Sequence, residues 1–409
     1  MALIVKKFGG SSVATVDKIM AVAQRVLKEK KQDDKIVVVV SAMGDSTDDL
    51  LKLASEVSGN PYAYTRELDM LMATGEQVSI ALLAMAFKKS GHPAVSLTGA
   101  QAGIKTNNTH TKGKIIDIKP DRVFHELENG KIVVVAGFQG IDSYGDVNTL
   151  GRGGSDTSAV ALAGALRADA CEIFTDVDGI YSSDPRVVNN ARKMQQITYN
   201  EMLELARLGA GVMQPRSVEM GKHFGVPIHV RSTFTKDTGT IIREEYTVEE
   251  KEFVIRGVTH DSNVAKIAIL GVPNRPGIAY KIFSVLAKAS IDVDMIVQSI
   301  RNNDHNIIDM VFTVAQQDLE EAKAIVNELG QELSVLGVIT DENVAKVSVV
   351  GAGMYGSPGI AAEMFGALAE VGVNIEVIST SEISISCLIE AEKAKEAVKA
   401  IHTHFFPDK

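Results

Sequence analysis

Residues 350–356 read VGAGMYG, an apolar run whose end carries Gly351, Gly353 and Gly356 at the G-x-G-x-x-G spacing. Between a strand and a helix, that spacing is the fingerprint of a dinucleotide-binding unit, because the glycines let the backbone approach a pyrophosphate. A near copy of its surroundings lies upstream. VAKIAILGVPNRPGIAYKIFSVLAKASIDVDMI from Val264 aligns with VAKVSVVGAGMYGSPGIAAEMFGALAEVGVNIEVI from Val344. The copies share Val-Ala-Lys, a glycine seven positions after the valine (Gly271, Gly351), Pro-Gly-Ile-Ala (276–279, 358–361) and a helix carrying Phe283 or Phe365. The second copy is two residues longer in its turn, where the extra glycines fall, and the first does the same job as GVPNRP. Fewer than 60 residues follow Gly356, too few for the second half of a dinucleotide fold. The stretch therefore reads as a turn in a repeated α+β module. Each copy runs strand, Pro-Gly turn, helix, strand, strand, helix, strand, a ferredoxin-like βαββαβ order.

Upstream of the repeats, strand-length apolar runs alternate with amphipathic stretches: LIVKKFG (3–9), VDKIMAVAQRVLKEKK (16–31), KIVVVVSA (35–42), KIVVVAGF (131–138) and CEIFTD (171–176). That rhythm predicts an α/β domain with an open, mostly parallel sheet and helices on both faces. The charged stretch REEYTVEEKE (243–252) interrupts it and marks a boundary, since such a run buries nothing. The expected divisions are 1–243 for the α/β domain, 244–263 for a charged linker and first strand of the regulatory region, 264–340 for repeat 1 and 341–409 for repeat 2.

Composition narrows the function. A chain of 409 residues, 45% of them hydrophobic, can bury more than one core. Its apolar runs stop well short of the roughly 18 residues a membrane span needs, so no membrane segment is expected. The N-terminus MALIVKKFGG turns from apolar to basic too soon for a leader and reads as the first strand of a cytoplasmic protein. Cys171 and Cys387 are far apart in apolar contexts, and nine histidines show no paired ligand spacing, so neither a disulfide framework nor a zinc site is expected. The net charge of -10 is evenly spread, which argues against a nucleic-acid partner.

Two glycine-rich turns in the first domain join a strand to a helix. In VKKFGGSSVATVDKIMAVAQ, Gly9, Gly10, Ser11 and Ser12 precede a helix whose free N–H groups and dipole suit an anion, with Lys7 within reach of the same phosphate. No G-x-x-x-x-G-K-[ST] occurs, so this is not a P-loop NTPase. In TLGRGGSDTSAVALAGAL, Gly151, Gly153 and Gly154 precede Ser155 and Asp156, with Arg152 between the glycines; Asp156 also suits a plain helix cap. Two such turns, each beside a cation, suggest two anions brought together, as phosphoryl transfer requires. FTDVDGIYSSDPRVV (174–188) reads either as a strand with an Asp-Gly turn or as a nucleotide platform at the sheet's carboxyl edge. In MATGEQVS, Glu76 sits at a helix start, where the dipole favours an acid in any case.

VKKFGGSS, VVVSAMG, MATGEQVS, LGRGGSDTSA and TDVDGIYSSDPR, in that order and followed by two Pro-Gly repeats, resemble the monofunctional aspartate kinase family over essentially the whole chain. The resemblance implies an amino acid kinase fold with tandem ACT regulatory domains. It implies ATP-dependent phosphorylation of the side-chain carboxylate of L-aspartate, the entry to lysine, threonine, methionine and isoleucine synthesis. Carried onto matching positions, Lys7 would hold the transferring phosphate, Gly9, Gly10 and Ser11 would cradle it, and Ser41, Gly153 and Gly154 would lie beside it. Asp156 would orient the phosphate-binding groups. Arg152 would pair with the α-carboxylate of aspartate and Glu76 with its ammonium, while Thr47 and Ser155 would bond the substrate. Thr175, Asp176, Tyr181 and Arg186 would line the nucleotide pocket. Mg²⁺ would ride on the ATP phosphates, with no metal ligand from the protein. One departure stands out: relatives carry a lysine in a GAKVLHP-type segment, where this chain has GAGVMQPRS with Gly211. Arg186, Arg216 and Lys222 are the candidates to replace it, Arg186 first among them.

For the repeats, the resemblance implies feedback inhibition by lysine, threonine or both. Asn274, Gly277, Ile278, Ala279, Asp294 and Gln298 would form part of one effector site, and Gly359, Ile360, Asn374, Ile375, Ser381 and Glu382 would contribute to the facing surface; the less favoured alternative is that either copy is a purely structural dimer contact. No methionine lies between Met220 and Met295, so an internal start at the domain boundary is not expected. A homo-oligomer is expected, most simply a dimer through the repeats, with no fused homoserine dehydrogenase. Two rivals remain at this point. Another carboxylate or carbamate kinase would keep KFGG yet have no use for Arg152 and the repeats, and an inactive amino-acid sensor need not retain Lys7, Glu76 and Asp156 together.

Overall fold

The structure, a computed structural model, describes residues 2–244, 254–300, 306–354 and 357–407. Gly356 and most of the charged stretch 243–252 lie outside the described residues. The chain forms two compact units. The first comprises Met1–Ile180, Lys193–Ala206 and the chain from Gly211 to the charged stretch, and the second comprises Tyr181–Arg192, Arg207–Ala210 and the chain after that stretch.

The first unit is built on an eight-stranded sheet. Leu3–Phe8 lies at its centre, parallel to Lys35–Val40 on one side and Ala170–Thr175 on the other. Ile132–Ala136 and Ala94–Leu97 extend one flank in parallel, and Ile228–Ser232 continues the other. The apolar runs explain the central strands: Val37–Val40 and Val133–Val135 are fully buried, as befits strands covered on both faces. Thr240–Arg243 pairs antiparallel with Ile228–Ser232, and Gln196–Thr198 lies parallel beside it at the edge. A smaller sheet of Ile115–Ile118, Ile104–Thr106, Gln139–Ile141 and Val147–Thr149 flanks the carboxyl edge.

The sequence predicts no membrane span, yet Pro61–Lys89 is long and apolar enough for one by length and composition. It is a run of three helical pieces, half buried inside the protein, and carries the buried acids Asp69 and Glu76. It is the core helix of a packed domain.

The second unit holds the two repeats as two four-stranded sheets. In the first, Asp294–Ile300, Ile307–Val314, Ala265–Pro273 and Gly337–Asp341 lie in that order, with the helices Ile278–Lys288 and Leu319–Leu333 between strands in the chain. This is the βαββαβ order the repeat predicts. The second sheet differs in one strand. Its order is Gly257–Asp261, Val344–Val350, Ser384–Glu390 and Val377–Thr380, so the strand expected after the last helix is supplied by residues that precede repeat 1. After Ala394–Phe405 the described chain forms no further strand, and Gly257–Asp261 pairs antiparallel along the edge of Val344–Val350 instead.

The glycines that opened the question have packing reasons. A Cβ on Gly351 would stand 2.0 Å from the Val254 carbonyl, and one on Gly271 2.5 Å from the Leu336 side chain, in a left-handed conformation with φ of 68°. The equivalent helices begin after Gly277 and Gly359, both left-handed. Segment 181–192 also belongs to this unit: Val188 is buried with Ile255, Val258 and Val398, and the Ser182 hydroxyl lies 2.8 Å from His402 Nε2.

Candidate active site

The carboxyl ends of Ala170–Thr175, Leu3–Phe8, Lys35–Val40 and Ile132–Ala136 stand side by side, each opening into a turn. Successive strand residues face opposite sides, which separates two adjacent lysines. Lys6 joins Glu29 at 2.7 Å and contacts Glu172, and Arg231 reaches both acids, forming a partly buried ion cluster beside the Phe174 ring. Lys7 points to the other face, where its Nζ lies 2.5 Å from Asp156. Lys6 was not singled out in the sequence, where nothing distinguishes it from its neighbour.

Asp156 sits in the first turn of the helix Gly154–Leu166. The Gly153 before it is left-handed, with φ of 68°, and a Cβ there would stand 1.9 Å from the Gln214 side chain. The two glycine-rich turns therefore meet: Lys7 comes from the strand leading to one and Asp156 from the helix following the other. Ser155 is buried beside Asp156, and Arg152 is exposed, with no partner among the described residues.

The Gly9–Ser12 turn is locked to the next one by hydrogen bonds from Gly44 N to the Gly10 carbonyl (3.1 Å) and from Ser41 N to the Phe8 carbonyl (3.2 Å). Ala42, between them, donates its N–H to Glu76 Oε1 at 3.0 Å. Glu76 lies in the first turn of Thr74–Lys89 and is 2% exposed. Its Oε2 is buried without a hydrogen-bond partner among the described residues. Burial pushes its carboxyl up to about 7, against the pull of the backbone N–H groups. An orphaned buried carboxylate oxygen suits an incoming ammonium. Thr47 is half-buried in the first turn of Ser46–Ser58.

At the end of Ala170–Thr175, the Thr175 hydroxyl donates to Asp176 (3.0 Å). Its carbonyl accepts from Thr233 N (2.8 Å), and the Thr233 hydroxyl lies 2.7 Å from that of Ser12. Arg25 holds the Thr233 and Ser232 carbonyls at 2.7 and 2.9 Å. This link between the first glycine turn and Thr175 carries no sequence signal, because its members come from distant segments. Tyr181 and Arg186 fall in the second unit, where Arg186 Nη2 lies 2.8 Å from Asp184 and holds that carboxyl below its usual range.

All three candidates for the lysine missing at Gly211 are engaged, Arg186 with Asp184 as above. Arg216 donates to the carbonyls of Leu150 (2.7 Å) and Gly113 (3.0 Å), and Lys222 to the Asn200 side chain (2.7 Å). His110, Asp142 and Asp146 bring donor atoms within 4.8 Å of one another. His110 is held by Asp69, Asp142 caps Tyr144 and Asp146 N–H groups, and Asp146 pairs with Arg66.

In the second unit, Asn274, Gly277, Ala279, Gln298, Gly359, Ser381 and Glu382 are exposed, Ile360 and Ile375 half-buried, and Ile278 packs into the first sheet's core. Asp294 is already paired with Lys346 at 2.6 Å. Asn374 lines a polar hollow of about 360 Å³ with Asp341, Glu376 and Glu390, and none of the other expected effector residues is among its lining.

Comparison with known proteins agrees with this layout. Residues 2–232 match the amino acid kinase family, and residues 267–329 and 347–405 match an ACT domain. Aspartokinase of Bacillus sp. (strain MGA3) is 47% identical over 405 residues, covering 99% of this chain and 97% of its own. E. coli aspartokinase III in complex with aspartate and ADP superposes with a TM-score of 0.83 at 24% identity, over 99% of this chain and 100% of its own. The same enzyme in complex with lysine and aspartate gives 0.75 at 25%, over 99% of both chains.

Proposed function

The chain belongs to the aspartokinase family, an amino acid kinase domain followed by ACT domains, and on that footing we propose that it transfers the γ-phosphoryl group of ATP to the side-chain carboxylate of L-aspartate, giving 4-phospho-L-aspartate. The observation that carries the reading is the Lys7–Asp156 pair, 2.5 Å apart where the two glycine-rich turns meet. The chemistry needs no general base, because a carboxylate is already a nucleophile. It needs two anions held in line and their charge compensated. Lys7 meets the transferring phosphate, with the turn of Gly9, Gly10 and Ser11 cradling it and Gly153, Gly154 and Ser41 beside it; the Gly9 and Gly154 N–H groups themselves donate to the carbonyls of Phe174 and Gly151. Asp156 orients Lys7. Arg152 takes the substrate α-carboxylate, Glu76 its ammonium, and Thr47 and Ser155 bond the substrate. Thr175, Asp176, Tyr181 and Arg186 serve the nucleotide. ATP enters as its Mg²⁺ complex, the ion supplying charge neutralisation on the phosphates. Asp156 Oδ1 is paired with Lys7 at 2.5 Å, and in this reading the ion takes its ligands from the ATP phosphates and none from the protein.

The product opens the route to lysine, threonine, methionine and isoleucine, and the ACT modules, at 264–340 and 341–409, make the enzyme answer to lysine, threonine or both. A neighbour solved with lysine supports lysine first. The protein works in the cytoplasm as a homodimer joined through these modules.

The test is aspartyl phosphate trapped with hydroxylamine, with and without lysine and threonine, singly and together. Aspartate-dependent product that falls with one of them bears out both halves. No product with aspartate, while an amino acid still binds by calorimetry, makes the chain a sensor.

A further inference from the structure

Asp69 has no exposed surface, yet it is an acid in the helix Thr65–Met72. A carboxylate can be buried only if it is well partnered, and donors from two distant segments meet this one. The Thr149 hydroxyl donates to Oδ1 at 2.5 Å, the Thr111 N–H reaches both oxygens at 3.0 and 3.1 Å, and His110 Nδ1 lies 2.8 Å from Oδ2. An ionised carboxylate only accepts, so His110 donates here.

What these partners hold is the second glycine-rich turn. Thr149 immediately precedes Leu150–Gly154, and its carbonyl accepts from Gly113 N at 2.8 Å. Thr111 is kept left-handed, with φ of 64°, a costly conformation for a β-branched residue that persists only where the surroundings impose it. Its carbonyl closes on Gly151, where a Cβ would stand 3.2 Å away. Arg216 grips the same two strands of chain from the carbonyls of Leu150 and Gly113. Arg152 itself has no partner among the described residues, so its direction comes from the backbone of this turn.

We propose that Asp69 is a positioning residue of the kinase reaction: through Thr149 and Thr111 it fixes the turn that aims Arg152 at the carboxylate of the amino-acid substrate. The inference rests on reading Arg152 as that carboxylate's partner. The network's contacts fall at Thr149, Leu150 and Gly151, ahead of the Gly153 and Gly154 that flank the phosphate, so its effect falls on the amino acid more than on ATP.

The experiment compares Asp69→Asn, Thr149→Val and Arg152→Ala in the full-length enzyme, reading KM for aspartate, KM for ATP, kcat and thermal midpoint. Asp69→Asn turns an amide N–H₂ toward groups that all donate, and Thr149→Val removes one hydroxyl at nearly constant shape. The expected result is a rise in the aspartate KM of about tenfold or more for Asp69→Asn and about threefold to tenfold for Thr149→Val, with the ATP KM within about twofold. If Arg152→Ala raises the aspartate KM and the other two do not, or if they raise both KM values alike, Asp69 serves the scaffold only and the inference is wrong. If Arg152→Ala itself leaves the aspartate KM unchanged, the underlying reading of the turn fails instead. Should Asp69→Asn not fold, Thr149→Val decides by the same criterion.

Discussion

The Lys7 ammonium lies 2.5 Å from the Asp156 carboxylate, with only 10% and 14% of the two side chains exposed. Poor solvent screening strengthens such a pair and keeps the ammonium in place before any phosphate arrives. In the proposed reaction the ammonium faces charge that grows on the transferring group. Lys7→Met keeps the side-chain length and removes the charge. We expect kcat to fall about 10² to 10³-fold, on the order of 3–4 kcal/mol of transition-state stabilisation, with the fold intact. The trapped-phosphate rate at saturating substrates checks this. A variant retaining more than about a tenth of the rate would remove Lys7 from the role given to it.

Glu76 sits at about 7, raised from 4.5 by burial. Only the ionised form attracts the substrate ammonium, so kcat/KM for aspartate should climb as pH rises through about 7 and level off above it. Glu76→Gln should flatten that limb at a much lower value. Stability moves in the opposite direction. The folded-state value lies above the unfolded one, so the neutral carboxyl's contribution is complete below about 4.5 and is lost as pH rises through about 7, on the order of 3 kcal/mol. Thermal midpoints of the apo protein between pH 5 and 8, beside those of Glu76→Gln, measure this. Equal pH slopes for the two proteins would show that Glu76 does not titrate there.

Much of this site was legible in the sequence, and the reasons are local. A parallel strand covered on both faces must be apolar throughout, so KIVVVVSA and KIVVVAGF announce themselves, and a glycine turn between strand and helix is contiguous in the chain. What was hidden depends on contacts far apart in sequence. Asp69 and Thr149 are 80 residues apart, and RELDML (66–71) reads as an ordinary helix. The strand GVTHD (257–261) has neither an apolar run nor a clear alternation, because it sits at an edge and takes its identity from Val344–Val350. Segment 181–192 follows the strand Ala170–Thr175 in the chain yet packs in the second unit, which only the valines Val187 and Val188 hint at.

The two repeats clamp each other with matched charges. Lys266 and Lys346 occupy the same place in the two copies, as do Asp294 and Glu376. Lys266 pairs with Glu376, with Asp341 at 3.5 Å, and Lys346 pairs with Asp294 at 2.6 Å. Between them lie Val264, Val344, Met295 and Val377, again equivalent in pairs, as in a two-fold interface. If Asp294 receives an effector's ammonium, Lys346 competes with it. Lys346→Met should then lower the half-inhibitory effector concentration about fivefold while the uninhibited rate stays within about twofold. An unchanged effector response would exclude Asp294 from effector binding.

The borrowed edge strand gives the last prediction. Without Gly257–Asp261, the strand Val344–Val350 would present a row of unpaired backbone groups, and its residues are buried throughout. Bare apolar edges recruit other chains. A fragment of residues 254–409 keeps the strand, and one of residues 264–409 loses it although both contain the two repeats entire. Both fragments lack segment 181–192 alike, so the comparison isolates the strand, and the longer fragment should be the more soluble and melt cooperatively. The shorter one should aggregate or melt more than about 5 °C lower, since one kcal/mol moves a midpoint by several degrees in a domain of this size. Light scattering and a thermal scan of the two decide it, and equal behaviour would mean that Gly257–Asp261 contributes little to the second module.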